Sequence, residues 1–225
     1  MHNIIVPENM NGVVRAFFTT KVLGADKGNI CATAAPGIVD VYMPVQKHTD
    51  RVKVLDADLS PEIADAVITD RKGILIGIQV ADCVPVLLAD VKKPAIGAVH
   101  AGWRGTAAQI LKKTVALMEE HFGSSPEALL IALGPSIRGC CYRVDAEVKD
   151  KVVRASGNGD YSRVWGKKYG VDLCGANRMQ ALAAGIPEKN IWSSPECTCC
   201  NPGKFSSYRF HKTHVGRQGG FIGIL

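Results

Sequence analysis

Several features that would point to a membrane, nucleic-acid or secreted protein are scarce or missing. Aromatic residues occupy only 6% of the 225 positions, which leaves few platforms on which bases could stack. No apolar run comes near the ~20 residues that a membrane-spanning helix requires. Met1-His2-Asn3-Ile4-Ile5 lacks the long apolar stretch of a signal peptide, and a cytoplasmic location is expected by default. Dense basic runs are missing too. The net charge of +6 is spread over pairs such as Lys92-Lys93, Lys112-Lys113 and Lys167-Lys168. These read as solvated faces with a mild pull on anionic substrates. Neither nucleic acid nor membrane is expected as a partner, and the oligomeric state is left open. The chain has no local HExxH pattern, no paired CxxC of zinc-ribbon type, no internal repeat and no low-complexity linker.

Hydrophobic residues make up 47% of the chain, enough for a substantial core in one domain spanning 1–225. Strands are predicted at Val13 to Thr19, Val39 to Pro44, Val52 to Leu55 and Ala66 to Thr69. Ile74 to Val80, Val84 to Ala89, Ala95 to Val99 and Leu129 to Leu133 follow, the first of these rich in β-branched residues. Ala107, Ile110, Leu111, Thr114, Val115, Met118 and Phe122 share one helical face, predicting a helix that Gly123 ends. Asp145 and Asp172 are expected to cap two further helices, and the tail from Phe205 onward reads as closing strands. Strands and helices mix without strict alternation, which predicts α+β layers rather than a doubly wound sheet.

Three chain corners carry the residue types of a metal site. His48 lies in Gln46-Lys47-His48-Thr49-Asp50-Arg51, Cys83 follows Asp82, and His100 opens Ala101-Gly102-Trp103-Arg104-Gly105. His48, Cys83 and His100 are a plausible ligand set for zinc with one coordination position open. Cys83 could instead be a nucleophile with a nearby histidine as base, and spacing alone leaves both schemes standing. Cys83, His100 and Asp82 are the candidate catalytic residues, Asp82 as a proton shuttle or a residue that orients a ligand. Arg104, Arg51 and Gln46 are candidate substrate contacts.

Each of these residues also has a plainer reading. A lone strand-end histidine is commonly a hydrogen-bonded structural residue, a lone cysteine is commonly core, and Trp103 and Tyr142 would pack. Asn29, in a polar glycine-containing loop, reads as a turn residue. His211 and His214 read as surface residues, and His2 and His121 have no supporting neighbours. The eight cysteines are expected to be reduced thiols. Cys197, Cys199 and Cys200 lack a complementary partner set in the sequence, so no second metal is expected there.

The segments resemble the laccase-domain family, whose members have been called multicopper polyphenol oxidases and purine nucleoside phosphorylases. The resemblance rests on Gln46-Lys47-His48, Ala81-Asp82-Cys83-Val84-Pro85-Val86 and Val99-His100-Ala101-Gly102-Trp103-Arg104-Gly105. It continues in Leu133-Gly134-Pro135-Ser136-Ile137, Asp172-Leu173, Ala176-Asn177-Arg178, Cys197-Thr198, Phe205-Ser206-Ser207-Tyr208-Arg209 and Gly216-Arg217. It implies a single domain of mixed β-sheets sandwiched by helices in α/β/β/α layers, with zinc on His48, Cys83 and His100. It also implies phosphorolysis of adenosine, inosine, guanosine and methylthioadenosine, and deamination of adenosine, with nucleoside and phosphate as partners. Alternatives are an amidase that removes L-serine from a mis-charged peptidoglycan precursor, a copper-dependent polyphenol oxidase, or a non-catalytic metal-binding module. Copper fits less well: six histidines can hardly build four copper centres. The family often carries tyrosine where this chain has Cys199.

Overall fold

A computed structural model describes residues 3–33, 40–213 and 215–224, with backbone alone at 32–33. His2, Val39 and His214 fall outside those residues. Apolar runs bounded by turns form three sheets. The five-stranded sheet runs, in spatial order, β1 (Ile4–Ile5), β2 (Arg15–Thr19), β14 (Gln218–Gly223), β6 (Ile74–Val80) and β3 (Asp40–Tyr42). The six-stranded sheet runs β13 (Ile191–Ser193), β9 (Leu129–Leu133), β7 (Val84–Asp90), β8 (Ile96–Ala101), β5 (Ala66–Thr69) and β4 (Val52–Val54). A small sheet adds β10 (Arg143–Val144), β12 (Lys168–Val171) and β11 (Ser162–Trp165). β3–β6, β4–β5 and β13–β9 pair in parallel and the other neighbours antiparallel.

The two large sheets face each other. Phe18, Ile76, Ile78 and Ile222 of one meet Val67, Leu87, Ala98 and Ala132 of the other. On the outer side of the first sheet, Ile30 of α1 (Lys27–Thr33) covers Phe17, Leu75 and Phe221. On the outer side of the second, α3 (Ile110–Phe122) and α5 (Leu173–Ala183) cover Val86, Leu88, Val99 and Ile131. Each fully buried Leu, Ile or Val contributes about 1.5–3 kcal/mol, so the β7–β8 ladder lies where burial stabilises most. The α+β class and the α/β/β/α layering are as expected.

Four local expectations are corrected. The helix expected through Ala107 is two, α2 (Trp103–Ala107) and α3, because Gln109 takes a left-handed φ of 59°. The Gln109 side chain holds the break by donating to the carbonyl of Ala155 at 2.7 Å, in α4 (Ala146–Ser156). Asp145 stands at the start of α4 without capping it and pairs with Lys168 at 3.5 Å instead. Asn29 is helical rather than in a loop: Asp26 accepts from its amide at 3.1 Å, and Ile30 next to it is buried. The tail holds a short helix, α6 (Tyr208–His211), before its strand. Asp172 caps α5 as expected, accepting from the amides of Cys174 (3.0 Å) and Gly175 (3.2 Å).

Candidate active site

The strands deliver three donors to one point. His100 lies within β8, one residue from its end, and is fixed by pairing with β7 on one side. Cys83 ends the tight corner between β6 and β7, where Asp82 adopts a φ of 87°. Asp is among the few side chains that tolerate this region, because it can bond locally. His48 sits in the loop before β4 with a φ of 58°. The ligand atoms of His48, Cys83 and His100 all lie within 4.8 Å of one another. The two imidazole rings meet edge to face with centroids 4.8 Å apart, and Cys83 Sγ is 4.0 Å from His48 Nε2.

A buried carboxylate that the sequence reading missed organises this group. Asp65 is fully buried. One of its oxygens accepts from the amide of His48 (3.0 Å) and meets His100 Nδ1 (2.7 Å). The other accepts from the amides of Lys47 (3.2 Å) and Thr49 (2.6 Å) and from the Thr49 hydroxyl (2.7 Å). Asp65 therefore shapes the His48 loop and commits His100 Nδ1, which leaves Nε2 for the site. The signal was a single carboxylate inside Ile63-Ala64-Asp65-Ala66-Val67-Ile68, a place where only a paired charge survives.

The same contacts set the charges of these groups. Burial alone would raise Asp65, but its hydrogen bonds with His100 and Thr49 hold it well below the usual carboxylate range. Burial alone would lower His100, yet its bonds with Asp65 and Cys83 raise it to about 9. Burial would likewise raise the Cys83 thiol, and the two histidines pull it down to about 6. A sulfur of this kind is largely thiolate at neutral pH, fit to ligate or to attack.

The donor set suits a soft or borderline cation. Two imidazoles and one thiolate match zinc and leave a position open. The backbone makes room for it: a Cβ on Gly102 would lie 3.0 Å from Cys83 Sγ and 3.2 Å from His48 Cδ2. Multicopper electron transfer fits poorly, because His121 lies on α3 and His211 bonds the carbonyl of Ser207 (2.8 Å). Among the described residues, only His48 and His100 contribute imidazoles here.

The trio lies in a cleft of about 880 Å³, within the range of small-molecule sites. Trp103 and Tyr142 line it along with Met43, Val80, Ile137 and Leu173, and Lys27, Arg104, Arg209 and Arg217 supply positive charge. Burial raises the Tyr142 hydroxyl to about 12, so it remains a donor. The Arg104 guanidinium lies 4.7 Å from the centre of the Trp103 ring. α2, which carries both, is pinned to α5: Asn177 donates to the Thr106 hydroxyl at 2.9 Å and Gln180 to the Thr106 carbonyl at 2.8 Å.

Of the residues expected from sequence, His48, Cys83, His100, Asp82, Arg104 and Gln46 all line this cleft. Asp82 accepts from the Thr198 hydroxyl (2.6 Å) and the Arg209 amide (2.7 Å), tying the corner to the tail. Both ends of the Gln46 amide are engaged by the backbone of Gln79, each at 2.8 Å. Arg51 is exposed and is not among the residues lining the cleft; its carbonyl receives the amides of Asp65 and Ala66. Tyr142 and Arg209 were not expected as cleft residues. Arg209 stood in a quoted motif, but it lies 127 positions beyond Asp82 and meets it only when the chain folds back.

Comparison with known proteins gives a consistent set of relatives. Residues 23–225 match the family model described as multi-copper polyphenol oxidoreductase laccase. A Geobacillus stearothermophilus protein named purine nucleoside phosphorylase YlmD is 34% identical over 90% of this chain and 67% of its own length. A protein from an unknown prokaryotic organism, named adenosine deaminase RL5, is 36% identical over 82% of this chain and 74% of its own. The crystal structure of the hypothetical protein YfiH from Bacillus licheniformis superposes with a TM-score of 0.89 at 28% identity, covering 99% of this chain and 97% of that one.

Proposed function

The chain belongs to the multicopper polyphenol oxidoreductase laccase family, and on that footing we propose that it is a zinc-dependent purine nucleoside enzyme. The observation that carries the reading is the convergence of His48, Cys83 and His100 in a cleft that aromatic and cationic side chains also line. Relatives named purine nucleoside phosphorylase and adenosine deaminase support the substrate class. The substrates are adenosine, inosine, guanosine and methylthioadenosine, as the family resemblance implies.

Zinc held by the two imidazoles and the thiolate would supply Lewis acidity at the reacting centre. The remaining work falls to the chain's own side chains. Trp103 and Tyr142 give the purine apolar walls, and the Tyr142 hydroxyl can donate to a ring nitrogen. Arg104 and Arg209 hold phosphate, a role suited to a planar guanidinium. Asp82 orients the Cys83 corner through Thr198 and Arg209. In phosphorolysis a phosphate oxygen bonds to C1′ of the ribose and the purine leaves. In deamination oxygen from water replaces the 6-amino group and ammonia leaves.

Zinc-loaded protein incubated with adenosine and phosphate should yield adenine with ribose 1-phosphate, and inosine, separable by chromatography. No conversion by protein carrying its cation would end the reading. Arg104→Ala should raise the KM for phosphate at least about tenfold, the worth of one charge-assisted hydrogen bond, and leave deamination unchanged. Equal loss of both activities would mean that Arg104 does not serve phosphate.

A further inference from the structure

A second group of soft ligands lies outside the cleft. Cys140 and Cys141 sit in one tight turn, closed by the amides of Cys141 and Tyr142 bonding the Arg138 carbonyl, each at 2.9 Å. Cys197 and Cys200 sit in another, closed by the amide of Asn201 on the Cys197 carbonyl at 3.2 Å. A bridge between Ser136 and Cys197, with the Thr198 amide on the Ser136 carbonyl at 3.1 Å, sets the turns side by side. The four sulfurs all lie within 4.8 Å of one another. Cys140 Sγ is 3.6 Å from both Cys197 Sγ and Cys200 Sγ, and Cys141 Sγ is 3.3 Å from Cys200 Sγ.

These distances discriminate between chemistries. Four sulfurs at about 2.3 Å from one zinc ion stand about 3.8 Å apart at the corners of a tetrahedron. Cys197 and Cys200 have the C-x2-C spacing common in structural zinc sites. Their partner is the adjacent pair Cys140-Cys141 rather than a second C-x2-C, which is why the spacing concealed it. Main-chain donors support a thiolate: the amide of Arg138 lies 3.4 Å from Cys197 Sγ, and the amide of Cys200 bonds the same sulfur.

We propose that Cys140, Cys141, Cys197 and Cys200 form a closed tetrathiolate site for a second, structural zinc ion. Each thiol gives up its proton on binding, and no electron transfer is involved. The ion braces the cleft from behind. Tyr142, next to Cys141, lines the cleft, and Thr198, next to Cys197, holds Asp82.

Cobalt substitution with metal analysis tests this, using cobalt(II) or zinc(II) alone as the probe on the reduced full chain. The wild type should bind two cations, and Cys83→Ser and Cys200→Ser one each. Thiolate-to-cobalt charge transfer scales with the number of cobalt–sulfur bonds. Cys200→Ser should therefore lose about four-fifths of the near-ultraviolet band, and Cys83→Ser about one-fifth, since one site has four sulfurs and the other one. Because Cys199 adjoins Cys200 and could stand in for it, the double variant Cys140→Ser/Cys141→Ser should lose the second cation as well. Cys31→Ser, on α1 and in neither ligand group, should keep two. One cation per wild-type chain, with an unchanged spectrum in Cys200→Ser and in the double variant, would overturn the proposal. So would reduced protein that takes up no cobalt beyond the His48–Cys83–His100 site. Loss of nucleoside turnover in Cys83→Ser with the four-sulfur spectrum intact separates the two sites.

Discussion

The His48–Cys83–His100 trio and the four-cysteine group are both assembled from distant segments, but their supports differ. The trio joins buried His100 of β8 to half-buried Cys83 at the β6–β7 corner and exposed His48 in a loop, and Asp65 fixes that loop and His100 through five hydrogen bonds. It has three donors and opens into a cleft large enough for a nucleoside. The cysteines stand on two surface turns, with Cys140 and Cys200 exposed, and number the four that complete a tetrahedron. An incomplete ligand set that opens into a cleft suits chemistry, whereas a complete set suits bracing. The two are joined through Thr198 and Tyr142, so the brace bears on the shape of the reaction site.

Four variants can break or sharpen this contrast. Cys83→Ala should bring nucleoside turnover to background while the chain still folds, as far-ultraviolet circular dichroism would show. Residual turnover would remove Cys83 from the reaction site. Asp65→Asn should destabilise the fold by about 3–5 kcal/mol in urea unfolding, the cost of breaking a buried ion pair. It should also weaken cation binding at the trio by roughly 10–100-fold. Unaltered affinity would show that the trio is rigid without its carboxylate. Gly102→Ala forces a methyl group against Cys83 and His48, and overpacking of this kind costs about 1–3 kcal/mol. Its cobalt spectrum should lose intensity from the trio alone, and a change in the four-sulfur bands would mean the two groups are coupled more tightly than described. Lys113→Ala removes an exposed partner of Asp50 beside the His48 loop and should cost less than about 1 kcal/mol. A larger loss would mean that Asp65 is not the loop's main anchor.

Sequence made the central strands legible because their apolar runs end at sharp turns. β5, β6 and β9 have the expected limits, and β7 extends one residue further. The sheet of β10, β11 and β12 was not expected. Val164 within it is largely exposed, and a strand without a buried face leaves no periodic trace. The break at Gln109 was hidden because Ala107 and Ile110 keep the spacing of one helix even where the backbone does not. His48, Cys83 and His100 could be picked out singly, each beside an unusual corner. Asp65 showed only as a lone carboxylate in an apolar run, and its partners, the amides at 47–49 and an imidazole 35 residues away, did not show at all. The cysteine group failed for the same reason: Cys140 and Cys197 are 57 residues apart and meet only after β9 and β13 pair.

The placement of β14 between β2 and β6 bears on how the molecule is made. Residues 218–223 form the middle of a sheet whose flanking strands were synthesised some 140 or more residues earlier. Until that segment leaves the ribosome, Phe17 and Leu75 lack the Phe221 that packs between them, and an apolar surface stays open to water. The nascent chain must therefore wait, partly assembled, and a protease cut or stop codon upstream of Gln218 would leave a product without its keystone.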